Sequence, residues 1–181
     1  DILFDIAIAG PIAGLIIAII VSMFGAYTSP EIDAMLAEEL FNESQLIEMN
    51  EPIFMIASLA IFDKGGSDKE VIMSPLLFAA WLGFLITFLN LLPAWQLDGG
   101  HMARALFGRK WHKIATYASM GVLAVLGYWF MALFILFLST RSKDARPLDD
   151  ISPLSKNRKR MFAVVVVLGF LCAPLPSTIL P

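Results

Sequence analysis

The fold of this chain is decided by the stretch Asn90-Leu91-Leu92-Pro93-Ala94-Trp95-Gln96-Leu97-Asp98-Gly99-Gly100, which follows an uncharged apolar run from Pro75 to Leu89. A helix-breaking proline, a carboxylate and two glycines therefore arrive at what the apolar run predicts to be membrane depth. In lipid, an unpaired backbone group or an isolated charge costs several kcal/mol. A chain that places both there normally uses them, so Asp98 is the first candidate functional residue.

The composition predicts a membrane protein. The 181 residues are 58% hydrophobic and 16% charged, whereas soluble domains are about 45–50% apolar and about 25% charged. The single cysteine, Cys172, excludes an internal disulfide and a cysteine-rich metal site. The sequence has no basic and aromatic pattern of the kind that binds nucleic acid. Its apolar composition makes the lipid bilayer the expected partner. We predict an all-α polytopic helical bundle with a broken helix at the stretch quoted above.

Residues 1–27 are predicted to form the first core span, interrupted only by Asp5. Near its start lies Ala9-Gly10-Pro11-Ile12-Ala13-Gly14. Gly10 and Gly14 are four residues apart and share a helix face, which lets another helix approach closely. This face serves either ordinary helix packing or contact with a neighbouring segment that carries catalytic residues.

Residues 28–74 form an acidic insert, predicted to lie outside the membrane or along its surface. Ser29 reads as a helix cap with Pro30 in the first turn, and Pro52 as the end of that helix. Residues 53–62 are too few to span a bilayer and are expected to be buried or interfacial. The insert either covers a site from one side or is a solvated connector.

Residues 75–113 form the second core span, with a short helix that ends near Gly108 and a basic edge at residues 109–113. Residues 114–181 are the C-terminal membrane region. Its apolar run 114–138 is either one tilted span or two shorter helices divided at Gly127. A polar loop, residues 140–160, separates it from a last apolar run that is marginal as a span.

The basic edge should lie on the cytoplasmic side, which places the acidic insert outside and Asp98 toward the cytoplasm. The expected location is therefore a multi-pass protein of the cell membrane. The side on which loop 140–160 lies depends on whether the preceding run crosses once or turns back at Gly127.

Asp98 and Asn90 are the candidate site residues. An ionised Asp98 among apolar neighbours would protonate unless a divalent metal kept it charged. Asn90, two helical turns upstream, can lie on the same side and offer its amide to an oxyanion or a substrate. Alternatively, Asp98 caps the following helix and Asn90 bonds a neighbouring helix. A metal site of Asp98, His101 and His112 is conceivable, but His112 lies in the basic edge and reads better as an interfacial side chain.

These residues resemble a known family. Asn90-x-x-Pro93-x-x-x-Leu97-Asp98-Gly99 is similar to the N-x-x-P-x-x-x-L-D-G motif of the site-2 proteases, the intramembrane zinc metalloproteases. The element at Ala9-Gly10-Pro11 resembles the A-G-P element of the preceding core span. The resemblance implies that Asp98 is a ligand of catalytic zinc and that Asn90 positions substrate or stabilises the oxyanion. It assigns no ligand role to His101.

The chain departs from that family in one large respect. The H-E-x-x-H motif, which supplies two zinc ligands and the catalytic glutamate, is absent from these residues. Asp98 alone cannot complete three-ligand coordination. We therefore expect either the C-terminal part of a longer protease or a member without its catalytic half. The start at Asp1 and the intact motif favour the former.

The predicted function is that of the C-terminal part of a zinc metalloprotease that cleaves transmembrane segments of membrane proteins, with Pro93, Ala94 and Trp95 offering an extended edge to substrate. The chain alone is expected to be inactive. A pseudoprotease that binds membrane helices is one alternative. An ion or proton transporter that uses Asp98 is another, which the small number of spans and the lack of a clear repeat disfavour.

Overall fold

The computed structural model describes residues 2–42, 49–66, 68–141 and 156–174, and these are mostly helical, which confirms the helical part of the predicted fold class. The elements in chain order are α1 (Ile2–Thr28), β1 (Glu31–Asp33), α2 (Ala34–Asn42), α3 (Ile53–Ile61), β2 (Lys69–Val71), α4 (Pro75–Leu91), α5 (Asp98–Val125), α6 (Trp129–Arg141) and α7 (Lys156–Cys172). The chain divides into two compact units, Asp1–Ala13 with Phe88–Phe170 and Gly14–Thr87 with Leu171–Pro181. The motif stretch lies in the first unit.

The first unit has a hydrophobic core where the start of α1, the end of α4, the first turns of α5 and the middle of α7 meet. Phe4 and Met102 are fully buried at its centre. The other buried members of this cluster are Ala7, Ile8, Leu91 and Val165. Full burial of a large apolar side chain stabilises by roughly 1.5–3 kcal/mol. The core therefore fixes both ends of the motif stretch against α1.

An ion pair joins α1 to α7 beside this core. Arg158 donates from Nε to Asp5 Oδ1 at 3.0 Å and from a terminal nitrogen to Asp5 Oδ2 at 2.6 Å. Asp5, the one charge in the first apolar run, is thus matched by a cation from the start of the last helix. This bidentate geometry suits arginine in particular.

Two glycines with positive φ shape α5 and α6. Gly108 has φ 77° and ψ 179°, so the helical backbone of α5 is interrupted there, at the position where the sequence predicts a helix end. Gly127 has φ 86° and lies between α5 and α6, which pack against each other. Of the two readings of the apolar run 114–138, the structure has the divided one.

The second unit contains the described part of the acidic insert, and here two predictions were wrong. Glu31–Asp33 is a strand that pairs antiparallel with Lys69–Val71, so the region is not all-α. Ser29 does not cap a helix: its hydroxyl donates to Gly25 O at 2.8 Å and accepts from Ser74 N at 3.1 Å. The hydroxyl is therefore used by a local bond one turn back in α1 and by a long-range bond to Ser74, and not by a helix cap.

Among the described residues, one helical segment is both long and apolar enough to cross a bilayer, Phe4–Thr28 within α1. α1 continues through Pro11 without a break in its assigned helix. Two shorter apolar helical segments are Pro75–Leu91 and Trp129–Thr140. Residues 142–155 and 175–181 lie outside the described residues, and most of the predicted polar loop 140–160 falls on the first of these ranges.

Candidate active site

The motif stretch forms a tight, non-helical connection between α4 and α5. α4 ends at Leu91, and α5 begins at Asp98. Within the connection, Ala94 N donates to Leu92 O at 2.7 Å and Leu97 N donates to Ala94 O at 3.1 Å. Ala94 is fully buried. The backbone thus turns back on itself just before the predicted metal ligand, because Pro93 cannot continue the helix of α4.

The paired glycines allow the start of α5 to lie against the backbone of this connection. A Cβ added at Gly99 would overlap Leu91 O and would come within 2.5 Å of Leu92 O. A Cβ added at Gly100 would come within 2.5 Å of both Ala94 O and Trp95 O. Real Cβ contacts are essentially never shorter than 3.0 Å. Only glycine fits either position, so Gly99-Gly100 fixes the place of the adjoining Asp98.

Asp98 is the first residue of α5 and lies beside Gly10 of the A-G-P element. A Cβ built on Gly10 would be 3.8 Å from Asp98 Oδ2. The helix is capped at Leu97 without a side-chain hydrogen bond, so the alternative in which Asp98 caps the helix is wrong. Within the described residues, the half-buried carboxylate accepts no hydrogen bond and forms no ion pair. Its position in the first helical turn is favoured by the helix dipole. Because its oxygens have no partner among the described residues, they are available to a cation.

Asn90 occupies the last turn of α4 and is half-buried. Because α4 ends one residue later and α5 begins only at Asp98, helical spacing does not relate Asn90 to Asp98, and the argument that they can lie on the same side loses that support. Its catalytic role remains a prediction.

The predicted substrate edge at Pro93-Ala94-Trp95 is not extended. Trp95 has a left-handed backbone, with φ 46°. Its N–H donates to Thr116 Oγ1 at 3.0 Å, and its carbonyl lies 2.8 Å from His112 Nε2. Both backbone groups of Trp95 are therefore engaged within the chain, and its N–H is already donated and cannot pair with a substrate strand.

His112 is accordingly a partner of the motif connection, through the contact of its Nε2 with Trp95 O. The described ranges contain no group of three or more histidine, cysteine, aspartate or glutamate residues that could hold a metal ion. Asp98, His101 and His112 therefore do not form a site. Asp98 supplies one carboxylate, and the described residues by themselves do not fit a zinc centre, which takes three protein ligands.

Sequence reasoning missed Thr116, which is buried. Its signal was its spacing, since residues 112 and 116 are four apart and share one face of the second segment of α5. Arg104 follows Asp98 by six residues in the first segment of α5. Its Nε is buried and has no hydrogen-bond partner in the described part of the chain.

The chain matches a known protein family over most of its length. The model described as Peptidase family M50 covers residues 1–134, which include both the A-G-P element and the whole motif stretch. The chain therefore belongs to peptidase family M50, the site-2 protease family, as the resemblance predicted.

Several plant proteins are similar to this chain. Probable zinc metalloprotease EGY2, chloroplastic, of Arabidopsis thaliana is 30% identical over 184 residues, which cover 96% of this chain and 32% of that protein. Probable zinc metalloprotease EGY1, chloroplastic, of the same species is 27% identical over 173 residues, 91% of this chain and 30% of that protein. Probable zinc metallopeptidase EGY3, chloroplastic, also of Arabidopsis thaliana, is 36% identical over 109 residues, which cover 55% of this chain and 18% of that protein. The chain thus spans about a third of the length of the first of these relatives. No solved structure matches it.

Proposed function

We propose that this chain is part of an intramembrane zinc metalloprotease, to which it contributes Asp98 as a zinc ligand. The observation that carries the proposal is the approach of Asp98 Oδ2 to Gly10, at 3.8 Å from the position of an added Cβ. Two motifs that are far apart in sequence meet at one carboxylate. Membership of family M50 and the names of the relatives support the same chemistry.

The multi-pass membrane setting is supported by where the apolar side chains lie. Several helices expose large apolar residues along their length, which would be costly in water. Examples on α1 are Ile6, Ile17 and Phe24, each more than 60% exposed. On α6, Phe130 is 80% exposed, and on α7 Val164 is 58% exposed. We propose that these faces contact lipid and that the substrates are transmembrane segments. The predicted cytoplasmic orientation of Asp98 remains a prediction, and the relatives above are named chloroplastic.

A catalytic zinc supplies Lewis-acid polarisation and an activated water in such an enzyme. This chain contributes one of the ligands, and we propose that the others come from residues outside these 181. On that basis the 181 residues alone should not cleave. Asn90, at the end of α4, would donate its amide to the substrate or to the developing oxyanion, an interaction whose loss typically costs 10²–10³-fold in rate.

The packing at Gly10 supports a specific role for the A-G-P element. At 3.8 Å an alanine methyl would make an ordinary contact with Asp98 Oδ2, so Gly10→Ala should retain the carboxylate position. A leucine side chain would occupy the space of the carboxylate. We therefore expect Gly10→Leu to lower zinc content and cleavage, while Gly10→Ala retains both.

The test is cleavage of a transmembrane model substrate by the full-length protein in detergent or liposomes. Asp98→Asn keeps the size of the side chain but removes its charge and should abolish cleavage. Asn90→Ala should lower the turnover number about 10²-fold and leave the zinc content unchanged. Full activity of Asp98→Asn would refute the proposal, and binding of the substrate without cleavage by the wild type would favour the pseudoprotease.

A further inference from the structure

Trp95, three residues before Asp98, has a backbone conformation that it does not adopt by preference. Its φ of 46° lies in the left-handed region. A bulky non-glycine residue held there costs on the order of 1–3 kcal/mol, and it persists only where the surroundings impose it. The groups that impose it therefore help to set the path of the chain into Asp98.

Two side chains of α5 bind the backbone of Trp95, one at its N–H and the other at its carbonyl. The Trp95 N–H donates to Thr116 Oγ1 at 3.0 Å, and the Thr116 hydroxyl donates to His112 O at 2.9 Å. His112 Nε2 lies 2.8 Å from Trp95 O. Because a carbonyl oxygen only accepts, Nε2 must carry the hydrogen. The Thr116 hydroxyl thus uses its donor and an acceptor position, and both backbone groups of Trp95 are engaged.

The break at Gly108 makes this arrangement possible. The backbone of α5 leaves the helical region there, with φ 77°, so the segment that carries His112 and Thr116 has a direction different from the segment that begins at Asp98. An added Cβ at Gly108 would meet nothing within 4 Å, so the glycine is needed for its conformation and not for space.

A displacement of Trp95 would reach the start of α5 directly. Trp95 O is also one of the atoms that a Cβ at Gly100 would approach to 2.5 Å. The carbonyl that His112 binds is therefore packed against the backbone of the first turn of α5, two residues after Asp98. A shift of about 1 Å in a catalytic group can cost about 10²-fold in rate.

We propose that His112 and Thr116 are positioning residues for the active site. Their hydrogen bonds to the N–H and the carbonyl of Trp95, together called the clasp, hold its strained backbone and so set the position of Asp98. This inference rests on the proposed function for its effect on catalysis. The clasp itself is testable without it. It gives His112 a role as a hydrogen-bond donor to the protein backbone.

The test compares variants that keep or remove the hydrogen-bonding groups in the full-length protein. Thr116→Val removes the hydroxyl at equal size, whereas Thr116→Ser retains it. His112→Leu removes the donor, whereas His112→Gln retains a nitrogen donor. The first readout is hydrogen exchange of the Trp95 amide, which should become about 3- to 10-fold faster in Thr116→Val and stay near wild type in Thr116→Ser.

The Ile72 amide, which donates to Pro30 O at 3.0 Å in the other unit, serves as the control for general unfolding. Its exchange should not change in any of these variants. If Thr116→Val does not fold, Thr116→Ala against Thr116→Ser gives the same comparison.

The second readout is cleavage. Thr116→Val and His112→Leu should lower the turnover number by about 10-fold or more, and Thr116→Ser and His112→Gln should restore most of it. Unchanged exchange at Trp95 in Thr116→Val, or equal loss in the valine and serine variants, would overturn the clasp. If Asp98→Asn cleaves like the wild type, the proposed function fails, but the exchange data still decide whether the clasp exists.

Discussion

The sharpest structural prediction concerns Gly99, the residue after the proposed zinc ligand. We expect Gly99→Ala to disable the enzyme, because the new methyl group would overlap Leu91 O and lie 2.5 Å from Leu92 O. Both obstacles are backbone atoms at the end of α4, so no side-chain rotation relieves them.

The size of the effect follows from these contacts. A Cβ contact needs at least 3.0 Å, so the start of α5 must move away from the end of α4 by roughly 0.5–1 Å, which in a packed interior costs about 1–3 kcal/mol of stability. Asp98 moves with it, and a misplacement of that size costs on the order of 10²-fold in rate. Zinc content should fall as well.

Gly121 provides the matched control, since it lies in the second segment of α5 and an added Cβ meets nothing within 4 Å. Gly121→Ala should leave cleavage unchanged and raise stability by up to about 1 kcal/mol, because alanine favours helix over glycine. The assay is cleavage of a transmembrane model substrate by the full-length variants, with zinc measured per protein. If Gly99→Ala cleaves within about threefold of the wild type, the close approach of α5 to α4 is not as described and the reasoning fails.

Two further predictions concern the second unit. In Gly25→Ala the added Cβ would come within 2.6 Å of Leu77 N, so we expect a loss of roughly 1–3 kcal/mol in the free energy of unfolding. Thermal unfolding in detergent measures this loss. Gly66→Ala, where an added Cβ meets nothing within 4 Å, is the control and should change the free energy of unfolding little. Burial, and secondarily the charge of Glu70, raises the pKa of Glu51. The folded state therefore holds this proton more tightly than the unfolded state does. The resulting contribution to stability is present at pH values below the ordinary glutamate pKa and is lost as the pH rises through the raised pKa. Glu51→Gln should remove that part of the pH dependence, and an unchanged pH profile of unfolding would contradict it.

The sequence predicted the helical class and the family because both rest on local signals. Apolar runs and the motif around Asp98 are readable residue by residue. The helix end at Gly108 followed from glycine alone, whereas the division at Gly127 was one of two readings that the sequence left open. The strands at Glu31–Asp33 and Lys69–Val71 were missed, because their pairing joins segments far apart in the chain and neither is long enough to show a pattern.

The site was predictable in its residues but not in its geometry. The helix break between Asn90 and Asp98 was expected, but their common side was argued from helical spacing, which does not hold across the connection between α4 and α5. Trp95 was read as an open edge, whereas His112 and Thr116 occupy its backbone groups. No local rule predicts that contact, since it depends on how the chain returns after Gly108.

The most direct test of the central claim is the zinc stoichiometry of the purified full-length protein, wild type against Asp98→Ala. Asp33→Ala, at an exposed carboxylate in the other unit, is the control. We predict that the wild type and Asp33→Ala retain zinc through dialysis and that Asp98→Ala loses it, together with cleavage. Retention of zinc by Asp98→Ala at the wild-type level would show that Asp98 is not a ligand.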